Sequence, residues 1–92
     1  MSHTKREKTK LLARVRRIRG QVEAVERALE AEAECGEVLR LIASVRGAIN
    51  GLTAEVMEDH IRSHVVDPYL EPDTDRGRGA EELIDVVRTY LK

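Results

Sequence analysis

Three side chains in this sequence are suited to holding a metal ion: Cys35, the only cysteine, and His60 and His64, four residues apart. A thiolate and neutral imidazoles are soft to borderline donors that suit Ni(II), Co(II), Zn(II) or copper. On a wheel of about 100° per residue with Val38 at zero, Val38, Leu41, Ile42, Val45, Ile49, Leu52 and Val56 fall between about −60° and +40°. Cys35, His60 and His64 fall at about 60°, 40° and 80°, on one shoulder of that apolar stripe. Yet Cys35 precedes His60 by 25 residues, which is about 37 Å of straight helix at about 1.5 Å per residue. No single ion spans that gap. A second copy packed antiparallel would set Cys35 of one subunit beside His60 and His64 of the other, so the spacing predicts a metal site built between subunits.

Two further donors stand near the start. Removal of Met1 before the small Ser2 would free an amine that titrates at about pH 8 and serves as a nitrogen ligand, with His3 directly after it. The same residues also read as a loose arm, residues 1–8, carrying a stray histidine. In the HIRSH segment Ile61 occupies the position where a zinc protease keeps its Glu, so hydrolysis has no general base. No other acid–base constellation points to an enzyme.

Helices must position these donors. The chain has 92 residues, 36% of them charged, and its aromatic residues are Tyr69 and Tyr90 alone. Such a composition predicts one all-α domain, residues 1–92, with a thin aliphatic core and apolar seams that await a partner. The first helix is expected over about residues 4–32, where Leu11, Val15, Ile18, Val22, Val25 and Leu29 form a heptad seam. A turn is expected at Glu34–Cys35–Gly36. The second helix then runs to about Val66, with Gly47 and Gly51 allowing close helix crossing and Asn50 fixing register. Residues 67–79 hold both prolines and read as a loop. A short third helix over residues 80–92 shows Leu83, Val86, Val87, Tyr90 and Leu91 on one side. One cysteine, no secretory leader and no apolar span predict a cytoplasmic protein in which Cys35 stays reduced.

The charge is asymmetric although its net value is −1. Residues 1–20 carry eight Lys or Arg against Glu7 alone, whereas residues 21–35 carry five Glu against Arg27. Lys10, Arg14, Arg17 and Gln21 align along one stripe about 90° from the apolar seam, with Arg16 and Arg19 nearby on other azimuths. Aligned cations with little neighbouring acid suit a phosphate backbone, and Arg and Gln also reach base edges. A solvated charged face is the competing reading, since no helix-turn-helix or zinc-finger pattern accompanies the stripe.

The order of a basic helix (LLARVRRIRGQVEAVERAL), then Cys35, then IASVRGAINGLTAEVMEDHI, then a terminal YLK, resembles the CsoR/RcnR family of bacterial repressors over nearly the whole chain. The resemblance implies a three-helix subunit, a dimer forming an antiparallel four-helix bundle, and a homotetramer assembled as a dimer of dimers. It also implies release of double-stranded operator DNA when copper, nickel or cobalt, or formaldehyde, occupies a site at the dimer interface. His3, Cys35, His60 and His64, with the Ser2 amine, match the ligand positions of the nickel- and cobalt-responsive branch. Copper members place a second Cys where His64 stands. Formaldehyde members begin with Pro after Met and lack the last His. The expectation is therefore a repressor of a metal-efflux gene with Ni(II) or Co(II) as effector, and Zn(II) as a possible one. It would bind DNA through Lys10, Arg14, Arg16, Arg17, Arg19 and Gln21. The alternatives are a formaldehyde-responsive repressor of the same family and a nickel or zinc carrier that does not bind DNA.

Overall fold

The computed structural model describes residues 5–91; Ser2 and His3 lie outside them. The described chain is all-α: α1 is Lys5–Glu30 and α2 is Cys35–His60, which a π-helical turn, Ile61–Val65, continues, and α3 is Asp75–Tyr90. Helices α1 and α2 pack side by side, and α3 folds back on the far end of α2. The molecule measures 56 × 26 × 13 Å with a radius of gyration of 17.1 Å. A self-contained globule of this length would have a radius of about 12 Å, and 13 Å is little more than the width of one helix. The long helices thus form a single layer with both faces open.

Neither long helix buries a residue completely. In α1 the half-buried residues include Glu7, Leu11, Arg14, Ile18, Gln21, Val25 and Ala28, a 4–3 repeat facing α2. The apolar seam expected from sequence is therefore split. Its Leu11, Ile18 and Val25 face α2, while Val15, Val22 and Leu29 stay exposed. The stripe on α2 divides in the same way: Val38, Leu41, Val45 and Leu52 are half-buried, and Ile42 and Ile49 remain open beside Leu39 and Met57. A Cβ at Gly51 would lie 3.2 Å from Arg14 Nη1, the tip of a side chain rather than the backbone of α1. Gly47 meets open space.

The turn between α1 and α2 comes earlier than glycine suggests. Glu32 adopts φ 55°, Glu32 N–H donates to Leu29 O at 3.1 Å and Ala33 N–H to Ala28 O at 2.9 Å. This pair of bonds closes α1 in a Schellman motif with Glu in the left-handed position usually given to Gly. Cys35 and Gly36 consequently open α2 rather than forming the turn.

The only fully buried cluster among the described residues is Ile61, Val66, Ala80, Ile84 and Val87, with Ala54 and Leu91 packed against it. Helix α3 begins at Asp75, five residues before the expected start, so the loop 67–79 is shorter than its prolines and glycines suggest. Thr74 supplies the start signal, its Oγ1 accepting from Gly77 N–H at 2.9 Å, as N-cap residues do. The buried face of α3 is Ala80, Ile84 and Val87 with Leu91 beside them, whereas Leu83, Val86 and Tyr90 point outward. Gly77 sets the docking distance, since a Cβ there would fall 1.6 Å from Glu71 O.

Thermal or urea unfolding measures what each of these packing features contributes. Ile84→Ala, at a fully buried site, should cost about 2–5 kcal/mol. Gly77→Ala should cost about 1–3 kcal/mol by forcing α3 off the Glu71 carbonyl. Glu32→Gly should raise stability, by up to about 1 kcal/mol, because it relieves the left-handed backbone.

Candidate metal and nucleic-acid sites

The candidate ligands lie at the two ends of α2. Cys35 is its first residue, exposed and free, and His60 is its last. Nothing interrupts the helix between them, so the separation of about 37 Å stands within one subunit. Among the described residues no three His, Cys, Asp or Glu side chains gather into a group that could hold an ion. His64 lies in the π-helical turn, whose Val66 N–H donates to Ile61 O at 2.9 Å. The imidazoles of His60 and His64 are exposed, with ring centroids 5.0 Å apart and planes inclined by 37°. Two imidazoles on one ion, at roughly 2.1 Å per nitrogen and bond angles of roughly 90–109°, would have centroids roughly 4.5–5.2 Å apart. The pair fits half of a metal site.

Charged side chains brace this end of the molecule. Glu58, one turn before Arg62, accepts from Arg62 Nε at 3.2 Å and, with its other oxygen, from Arg88 of α3 at 2.8 Å. Arg62 also reaches Asp67 at 3.6 Å and lies 4.7 Å above the Tyr69 ring. Arg76 Nη2 donates to Val65 O at 3.4 Å. Together these contacts connect α2, the π-turn, the following loop and α3. The Glu58–Arg62 half is visible in sequence as an i, i+4 pair. The Arg88 half joins residues 30 apart and has no local signature.

The basic face of α1 is less uniform than its sequence stripe. Arg16, Arg17 and Arg19 are exposed. Lys10 and Arg14 reach across to Glu55 of α2: Lys10 Nζ lies 3.2 Å from Oε1, and Arg14 Nε contacts Oε2. Gln21 sits in the α1–α2 seam with its Oε1 buried and unpartnered. Glu55 has no signature in the sequence, because an acid on α2 carries no mark of a partner on α1, and the expected seam of α1 placed Arg14 and Gln21 on a separate stripe. Among the described residues no helix is long and apolar enough to cross a membrane.

A Serratia marcescens protein described as "Uncharacterized protein in bioA 5'region" is 54% identical over 92 residues, the whole of both chains. The "Transcriptional repressor RcnR" of Citrobacter koseri is 41% identical, again over the whole of both. Among solved structures, a glutamate-to-histidine variant of the Formaldehyde-Responsive Regulator FrmR from Salmonella enterica serovar Typhimurium is 43% identical. It aligns over 97% of this chain and 99% of its own with a TM-score of 0.69. Residues 7–89 match the family described as "Metal-sensitive transcriptional repressor". A three-helix chain with its thiol and its imidazole pair at opposite ends of one helix, and a cationic pole on the helix beside it, therefore belongs to the CsoR/RcnR family of metal-sensitive transcriptional repressors.

Proposed function

We propose that this chain is a Ni(II)- or Co(II)-responsive repressor whose effector site forms between two antiparallel α2 helices. The observation that carries this reading is the placement of Cys35 and His60 at opposite ends of one uninterrupted helix. Each end lacks what the other holds, and antiparallel pairing supplies both at once. The open row of Leu39, Ile42, Ile49 and Met57 between the two ends supports the pairing, because it leaves apolar surface for a second copy to cover. Further pairing of such dimers gives the homotetramer.

In this reading Cys35 of one subunit and His60 and His64 of its partner hold the ion, and the Ser2 amine and His3 complete the set. The ion links the helix ends and draws the donors into one geometry. One thiolate with several nitrogens suits Ni(II) and Co(II), and recruiting the arm raises the ligand number towards six, which tetrahedral zinc seldom takes. Lys10, Arg14, Arg16, Arg17 and Arg19, with Gln21 once it leaves the seam, contact operator DNA in the metal-free form. Affinity then falls steeply with salt, because each neutralised phosphate releases counterions. A hundredfold loss of DNA affinity on effector binding requires about 2.7 kcal/mol of coupling, and DNA must weaken metal binding by the same factor.

The formaldehyde-responsive reading is favoured by one observation, the FrmR variant among the similar structures. His64 separates the two readings. In a DNA-binding assay, His64→Ala should abolish release by Ni(II) or Co(II) and leave metal-free binding intact. A protein released by formaldehyde alone, with or without His64, would be the formaldehyde sensor instead.

Subunit sharing has its own test. Cys35→Ala and the double variant His60→Ala/His64→Ala should each lack the intense thiolate-to-Co(II) absorption. An equimolar mixture after subunit exchange should regain about a quarter of the wild-type signal, because half the dimers then hold one intact site of two. No recovery would overturn the shared site.

A further inference from the structure

Glu55 has no part in the metal reading and is not a DNA contact, yet it occupies two of the cations assigned to DNA. Its carboxylate forms ion pairs with Lys10 Nζ, 3.2 Å from one oxygen, and with Arg14 Nε at the other. The side chain is 19% exposed, against 69% for Lys10 and 41% for Arg14. Gly51, one turn earlier on α2, leaves the space in which the Arg14 guanidinium lies. The three share a cleft between α1, α2 and α3 with Glu7, Glu58, Asp59 and Arg88, and within it Glu55 is largely covered while the two bases retain access to solvent.

We propose that Glu55 is a built-in anion that competes with DNA phosphates for Lys10 and Arg14 and so holds operator affinity below what the basic helix would otherwise give. The inference rests on the reading of Lys10 and Arg14 as phosphate contacts. A carboxylate carried on the adjacent helix meets these cations without the translational cost that a phosphate on another molecule pays. It also reduces the charge that the pair offers to DNA from two to one. Counterion release scales with phosphates neutralised, at a slope of about 0.9 in log K against log salt for each. The competitor should therefore appear as a shallower salt dependence as well as a weaker affinity. A purely structural role for the Glu55–Arg14 contact would not produce that signature.

The test is fluorescence anisotropy of metal-free protein on a labelled mixed-sequence duplex, since the phosphate term is independent of sequence. Titrations run from about 50 to 200 mM salt. Glu55→Gln keeps the shape and removes the charge. It should tighten binding about eightfold at about 0.1 M salt for each subunit touching DNA, and steepen the slope by about 0.9 per such subunit. Glu55→Asp keeps the charge but withdraws it by one methylene, and should give a smaller rise. Unchanged or weakened binding by Glu55→Gln, in protein whose circular dichroism and melting match wild type, overturns the proposal. So does a rise with no change of slope. The double variant Lys10→Ala/Arg14→Ala separates the two layers: it should weaken binding and abolish the effect of adding Glu55→Gln. If it leaves DNA binding unchanged, the assignment of Lys10 and Arg14 as phosphate contacts fails, and the competitor role falls with it. If it weakens binding but Glu55→Gln still tightens it, the competitor role alone fails.

Discussion

The length and continuity of α2 constrain everything else in this protein. Twenty-six residues of α-helix make a rod about 39 Å long, with a thiol at its first residue and imidazoles at its last. A rod cannot fold back to bring its own ends together. Sequestered donors would need bends or breaks, yet Gly47 and Gly51 lie within the helix without interrupting it. The chemistry at the two ends is therefore divided by the secondary structure itself, before any tertiary contact forms.

The slab shape follows from the same rod. With only α1 laid along it and α3 confined to its far end, one surface of α2 lacks a covering layer, and Leu39, Ile42, Ile49 and Met57 remain open. The fully buried cluster sits at the α3 end, so the histidine end is the best-consolidated part of the chain and the cysteine end the least. Glu58, Arg62 and Arg88 tie the end of α2 to α3, whereas Cys35 follows a turn held mainly by backbone hydrogen bonds around a left-handed Glu32.

Charge on α2 is arranged along the same axis. Glu55 engages the basic helix α1 and Glu58, less than one turn further, engages α3, while His60 lies two residues beyond Glu58. Two acids of one rigid helix thus tie it to α1 on one side and to α3 on the other. A small shift of α2 would be felt by α1 and α3 alike, because packed helices move as bodies rather than by local deformation.

The sequence by itself determined the local features. The three helices, the metal-donor chemistry of Cys35, His60 and His64, their impossible separation within one subunit and the cationic pole of α1 all follow from residue type and from the 3.6-residue period. Family membership was legible from the same motifs. Only the tertiary structure decided which half of each apolar stripe turns inward, that Arg14 and Gln21 lie in the α1–α2 seam, that Glu55 holds Lys10 and Arg14, and that Ala80, Ile84 and Val87 are the buried face of α3. It also placed the start of α3 at Asp75 and the first turn at Glu32, where glycine and proline pointed elsewhere. Periodicity reports the azimuth of a side chain about its own helix. Which azimuth faces a neighbour depends on contacts between residues distant in the chain, such as the 30-residue span from Glu58 to Arg88, and a local pattern holds no record of them.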